Sequence, residues 1–144
     1  MSGSLERRLE EIQRLLDNLI VETANGTPII VEGSRDKVSL ERLEVEGHII
    51  FLKTSGKTFL DVLKDIETCG KDEVILLLDF DKRGREMTSR LAHNLENIGV
   101  KSNMVFWKKF SSLVGRDVKD IEGLATYVQT LNRKTGKNTS NLVC

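Results

Sequence analysis

Cysteine is nearly missing from this chain. Of its 144 residues only Cys69 and Cys144 are cysteine, far apart and in no metal-ligand spacing, which excludes a zinc cluster or disulfide framework and predicts a reducing compartment. An excess of one charge is missing too. Lys plus Arg and Asp plus Glu both number 22, so the formal net charge is zero and any surface for a polyanion must be a local patch. No apolar run approaches the length of a membrane span, and the N-terminus lacks the basic-then-apolar order of a signal peptide. These absences predict a cytoplasmic protein with no membrane partner. No internal repeat is found. The 39% of residues that are hydrophobic suit one domain with a real core.

Apolar periodicity divides the chain into helices and strands. Residues 4–22 read as a first helix with Ser4 as N-cap and Leu5, Leu9, Ile12, Leu16 and Leu19 spaced by four and three. That stripe is expected to bury against the chain's own sheet; the alternative is a homodimer through this helix. Strands are predicted at 28–31, 49–52, 74–78 and 100–107, the last with Met104 and Phe106 alternating and Trp107 closing the core at its end. Helices are predicted over 34–43, over a stretch carrying Phe59, Leu60, Leu63 and Ile66, and over 85–98, where Gly99 ends the run. Cys69, beside Gly70 at the end of the second of these, reads as buried. A last helix spans 121–131 with Asp120 as N-cap. The organisation is thus an N-terminal helix and connection (1–27), a domain (28–132) and a loose polar tail (133–144).

The centre of the pattern is Asp79-Phe80-Asp81-Lys82-Arg83-Gly84, directly after the apolar strand 74–78. Strand side chains alternate, so Asp79 and Asp81 are expected on one side and Phe80 on the other, with Gly84 turning the chain into a helix. Such a pair is either a solvated acidic turn or a site for a hard divalent cation, which favours one or two carboxylates plus water and phosphate oxygens. Upstream, Ile30-Val31-Glu32-Gly33 ends another apolar strand in an acid. For Glu32 to meet Asp79 and Asp81, the first and third strands must be neighbours, which predicts an α/β fold with a parallel sheet in the order 2-1-3-4, helices on both faces and the acids at a topological switch point.

Glu32-Gly33-x-x-Asp36 followed by Asp79-x-Asp81-x-x-Gly84 resembles the Toprim domain of topoisomerases, bacterial-type primases and ribosomal-RNA maturase nucleases, over about residues 28–131. The resemblance implies a Rossmann-like Toprim fold. It also implies Mg²⁺ or Mn²⁺ held by Glu32, Asp79 and Asp81, with Glu32 as general acid–base, its pKa raised by its acidic neighbours, and chemistry on nucleic-acid phosphodiesters. Two functions stay open: a maturase-like nuclease, or a metal- and nucleic-acid-binding module of a larger complex without turnover. The partners expected are RNA or DNA and a further protein, since a stand-alone domain offers little area for specificity. Arg35, Lys37, Lys53, Lys57, Lys82, Arg83 and Arg85 are the candidate phosphate contacts, and Gly33 and Gly84 the candidate turn residues. The segment 117–122 is similar to an acidic stretch that follows the last Toprim strand, but helix capping by Asp120 is the preferred explanation.

Other readings fail on particular residues. Gly56-Lys57-Thr58 mimics the tail of a phosphate-binding loop, but the first glycine of that motif would fall at Phe51. A haloacid-dehalogenase-type phosphatase needs its acidic pair on the first strand, and a response-regulator receiver needs a pair where only Glu32 stands. Tyr127 sits within an amphipathic helix, which is no place for the strand-passage tyrosine of a topoisomerase. His48 and His93 read as structural or surface residues.

Overall fold

A computed structural model of the chain describes residues 2–136. Its elements are α1 (Ser2–Ala24), β1 (Ile29–Val31), α2 (Ser34–Arg42), β2 (Ile49–Phe51), α3 (Phe59–Thr68), β3 (Glu73–Leu76), α4 (Lys82–Asn97), β4 (Lys101–Asn103), α5 (Val105–Val114) and α6 (Leu124–Lys134). The four strands pair in parallel in the order β2-β1-β3-β4. From β1 the chain moves outward to β2, then crosses back over β1 to β3. Right-handed crossovers therefore put α2 on one face and α3 and α4 on the other, and the reversal lies between β1 and β3.

Strand alternation builds the two cores. Ile29, Val31, Ile75 and Leu77 face a cluster with Ile12, Leu16 and Leu19 of α1, Leu40 of α2, Phe106 and Phe110 of α5, and Leu124 and Val128 of α6. Ile30, Val74, Leu76 and Leu78 face Val62, Leu63 and Ile66 of α3 and Leu91 and Leu95 of α4. Central strands buried on both faces read as continuous apolar runs for this reason. The stripe of α1 is consumed by the chain's own core, packed on α5 and α6. Among the described residues no helix is long and apolar enough to cross a membrane.

Several boundaries differ from the expectation. The predicted strand at 100–107 ends at Asn103, whose Oδ1 accepts the Val105 N–H at 3.0 Å and starts α5. Met104 and Phe106 alternate by accident: Val105 is exposed, while Phe106, Trp107, Phe110 and Val114 line one helical face. Asp120 caps not the last helix but the turn before it, its Oδ1 accepting the Gly123 N–H at 2.8 Å, and α6 starts at Leu124. Helix α1 begins at Ser2 rather than at a Ser4 cap. Cys69 is exposed at the C-cap of α3, not buried. Helix α6 runs to Lys134, past the start expected for the tail, and positions 137–144 of that tail lie outside the described residues. Thr58 accounts for the false phosphate-loop signal, since it forms a capping box with Asp61 at the start of α3.

Gly84 is not a turn residue. It lies in the first turn of α4, where a Cβ would come within 2.1 Å of the Asp79 carbonyl oxygen. Only a residue without a side chain lets α4 pack this tightly on the end of β3. Gly33, the N-cap of α2, has open space where its Cβ would stand. Gly84→Ala is therefore expected to destabilise the protein by about 3 kcal/mol or prevent folding, from overpacking against backbone that cannot yield. Gly33→Ala should cost only about 1 kcal/mol, the loss of a favoured N-cap residue with no clash. Urea unfolding of both variants checks the contrast.

Candidate functional site

The carboxyl ends of β1, β2 and β3 surround an open cleft of about 370 Å³. Backbone pairing continues past the strands and sets its residues. The Lys53 N–H donates to the Glu32 carbonyl at 2.9 Å, so the first cation after β2 lies beside the acid that ends β1. From the β3 side the Asp79 N–H donates to Glu32 Oε2 at 3.2 Å. Glu32 Oε1 receives Lys53 Nζ and Arg83 Nη2, each at 3.1 Å. Glu32 is buried, at 8% exposure, so these contacts hold a charge that water cannot.

Asp79 is the second member. Its carboxyl group interacts with that of Glu32 through hydrogen bonding and charge. Burial, followed by the Glu32 hydrogen bond and charge, pushes Asp79 up to about 8. Burial would raise Glu32 as well, but the hydrogen bonds from Asp79 and Lys53 outweigh it and hold Glu32 below its ordinary value. The raised carboxyl is thus Asp79 and not Glu32, contrary to the expectation for the acid–base residue.

Asp81 has another task. Its Oδ1 accepts the Gly84 N–H at 2.7 Å as the N-cap of α4, and it does not line the cleft. Three acids join the cleft instead: Asp36, Asp120 and Glu122. Asp36 is buried and accepts the Gly33 N–H at 3.0 Å; burial, then the charges of Glu32, Asp120 and Glu122, raises its pKa. Asp120 and Glu122 arrive on the α5–α6 loop, which the Phe80 N–H pins by donating to the Lys119 carbonyl at 2.7 Å. Asp36 belonged to the motif, and the acidic run 117–122 was the signal for the other two, masked by its capping role. A third feature had no signal: the indole N–H of buried Trp107 donates to the Leu78 carbonyl at 2.9 Å, fixing the backbone that carries Asp79.

Of the candidate cations, Lys53 and Arg83 reach Glu32, and Arg35 lies at the rim, 3.6 Å from Glu122. Arg85 donates to the Phe80 carbonyl at 3.1 Å. Lys57 pairs with Asp65 on α3, and neither it nor Lys37 and Lys82 lines the cleft. His48 and His93 are exposed and also lie outside it.

The profile of the Toprim domain matches residues 26–106. Two similar proteins are UPF0292 proteins of archaea. That of Methanosarcina barkeri is 35% identical over 130 residues, 90% of this chain and 89% of the relative. That of Methanocaldococcus jannaschii is 37% identical over 121 residues, 83% and 91% of the two chains. The chain belongs to the UPF0292 family of Toprim-domain proteins. A solved structure with the same fold, a putative protein from Aquifex aeolicus, is 27% identical with a TM-score of 0.62, covering 76% of this Toprim chain and 94% of that one. Toprim domains generally bind Mg²⁺, and the family points to metal-dependent work related to nucleic acid.

The donor set fits such an ion in kind, being carboxylate oxygen throughout, and a cation beside Glu32 and Asp79 would relieve the repulsion between them. As they stand, no three His, Cys, Asp or Glu side chains among the described residues are grouped to hold a metal. The ion would be held by Glu32 and Asp79, with water completing its shell.

A pH dependence follows. Asp79 has an ordinary value of 3.8 and a folded value of about 8, so between these the folded chain binds the proton more tightly than the unfolded chain. Stability then falls as pH rises from about 4 to about 8. Asp36, also raised, adds to this slope, whereas lowered Glu32 acts only at more acidic pH. In metal-free buffer Asp79→Asn should melt higher than wild type at pH 8 and show a flatter profile from pH 5 to 8. Thermal melts across this range test it; a wild type that gains stability with pH would show the sign to be wrong.

Proposed function

We propose that this Toprim protein is a Mg²⁺-dependent nuclease that hydrolyses phosphodiester bonds in RNA or DNA, in the manner of a maturase. The observation that carries it is the meeting of buried Glu32 and half-buried Asp79 with Lys53 and Arg83 at the switch point of the sheet. Acidic oxygens for a hard cation and the ammonium of Lys53 line one open cleft, and Arg83 reaches its Glu32 from α4.

The bound ion supplies charge stabilisation at the phosphoryl oxygens. Glu32, held as a carboxylate by Lys53 and Asp79, is the base that takes a proton from attacking water. Lys53 and Arg83, whose side chains are half exposed or more, orient the phosphodiester. Asp79 contributes a hard oxygen. Trp107 and Gly84 keep the end of β3 in place, so that Asp79 faces Glu32 rather than solvent. Cytoplasmic work, and a protein partner that adds binding surface, complete the reading.

End-labelled structured RNA, single-stranded RNA and DNA incubated with Mg²⁺, Mn²⁺ or chelator provide the test. Wild type should yield metal-dependent products, and a folded Glu32→Gln variant should lose at least about 100-fold in rate, the scale of a general base. Metal-dependent binding of nucleic acid without products would establish the non-catalytic binding module instead.

A further inference from the structure

Glu32 carries two cations on one oxygen. Lys53 Nζ and Arg83 Nη2 each stand 3.1 Å from Oε1, while Oε2 accepts the Asp79 N–H. Two positive charges against one negative leave this trio with a net positive charge, and the ammonium and guanidinium repel each other across the shared acceptor. The three side chains also differ in exposure. That of Glu32 is 11% exposed, whereas those of Lys53 and Arg83 are 54% and 65% exposed and come from separate elements, the segment after β2 and the first turn of α4. The acceptor is fixed in the protein and the donors are free to leave toward solvent.

A divalent cation on Glu32 reverses this balance. Lys53 and Arg83 lose their acceptor and face a like charge, and a phosphodiester anion both accepts their hydrogen bonds and offsets the ion. We propose that Lys53 and Arg83 form a phosphate clamp held in reserve on Glu32, so that divalent cation and phosphodiester bind this cleft together, each raising the other's affinity. The proposal rests on the metal-dependent reading of the cleft and adds a coupling between its two ligands. Alone, the metal must displace two cations from Glu32. Alone, the anion must draw those cations away and leave a buried carboxylate unpaired. Bound together, each ligand removes the other's cost, and linkage makes the effect equal in both directions.

The test is a Mn²⁺ titration of the full chain, read from the paramagnetic resonance signal of the free ion, with and without saturating dimethyl phosphate, a phosphodiester monoanion that chelates Mn²⁺ weakly. In wild type, dimethyl phosphate should tighten Mn²⁺ about fivefold or more. The Lys53→Gln, Arg83→Gln double variant should bind Mn²⁺ more tightly than wild type without the anion and no longer respond to it. Arg83→Gln alone, which removes a largely exposed side chain and leaves Lys53 on Glu32, should fall between and keeps the test valid if the double variant does not fold. Mn²⁺ affinity indifferent to dimethyl phosphate in wild type, or a folded variant with full coupling, overturns the clamp. Coupled binding in a protein that cleaves nothing sustains the clamp and refutes the nuclease. Cleavage with uncoupled binding does the reverse, and no Mn²⁺ binding refutes both.

Discussion

Two carboxyl groups, buried Glu32 and half-buried Asp79, are forced together at the ends of neighbouring strands, and much of the surrounding structure answers that problem. A buried carboxylate is costly unless paired and hydrogen-bonded, and two side by side cannot both stay ionised. The chain supplies a backbone N–H from Asp79, an ammonium from Lys53 and a guanidinium from Arg83, and the raised pKa of Asp79 favours its neutral form beside Glu32. Each is delivered by regular structure: Lys53 by the β1–β2 ladder continuing past the strands, and Arg83 by the first turn of a helix packed on the end of β3. A site built this way is destabilising for the fold and ready for a ligand of opposite charge.

The support behind the site is tight. Gly84 lets α4 touch the Asp79 backbone, Asp81 caps that helix, and Trp107 holds the Leu78 carbonyl from the opposite face. The loop that brings Asp120 and Glu122 is tied to Phe80 by a backbone hydrogen bond. Residues 78–84 are therefore held from both sides of the sheet. This stretch alternates in role: Asp79 faces the cleft, Phe80 enters the core below the sheet, and Asp81 serves the helix.

The electrostatics match the chemistry argued for the cleft. The chain has no net charge, so attraction for a polyanion must be local, and the cations that could provide it are partly spent on acids in the same cleft. Such a surface discriminates by what it must give up. An anion that arrives with a divalent ion meets both needs of the cleft, and an anion without one does not.

Sequence by itself determined the sheet order, the apolar stripe of α1 and the meeting of Glu32 with Asp79, because strand alternation and apolar runs are local properties and crossover handedness leaves few ways to connect four parallel strands. It determined the family as well, through two short motifs in fixed order. Helix α5 was hidden, since four residues around Met104 satisfy a strand period as well as a helical one until Phe110 and Val114 are placed beside them. Only the tertiary structure decided that Asp81 turns to cap α4 while Asp36, Asp120 and Glu122 enter the cleft, and that Asp79 rather than Glu32 is the raised carboxyl. Those outcomes depend on which groups from distant segments share one desolvated volume, and neither spacing nor composition carries that information until the chain has closed around it.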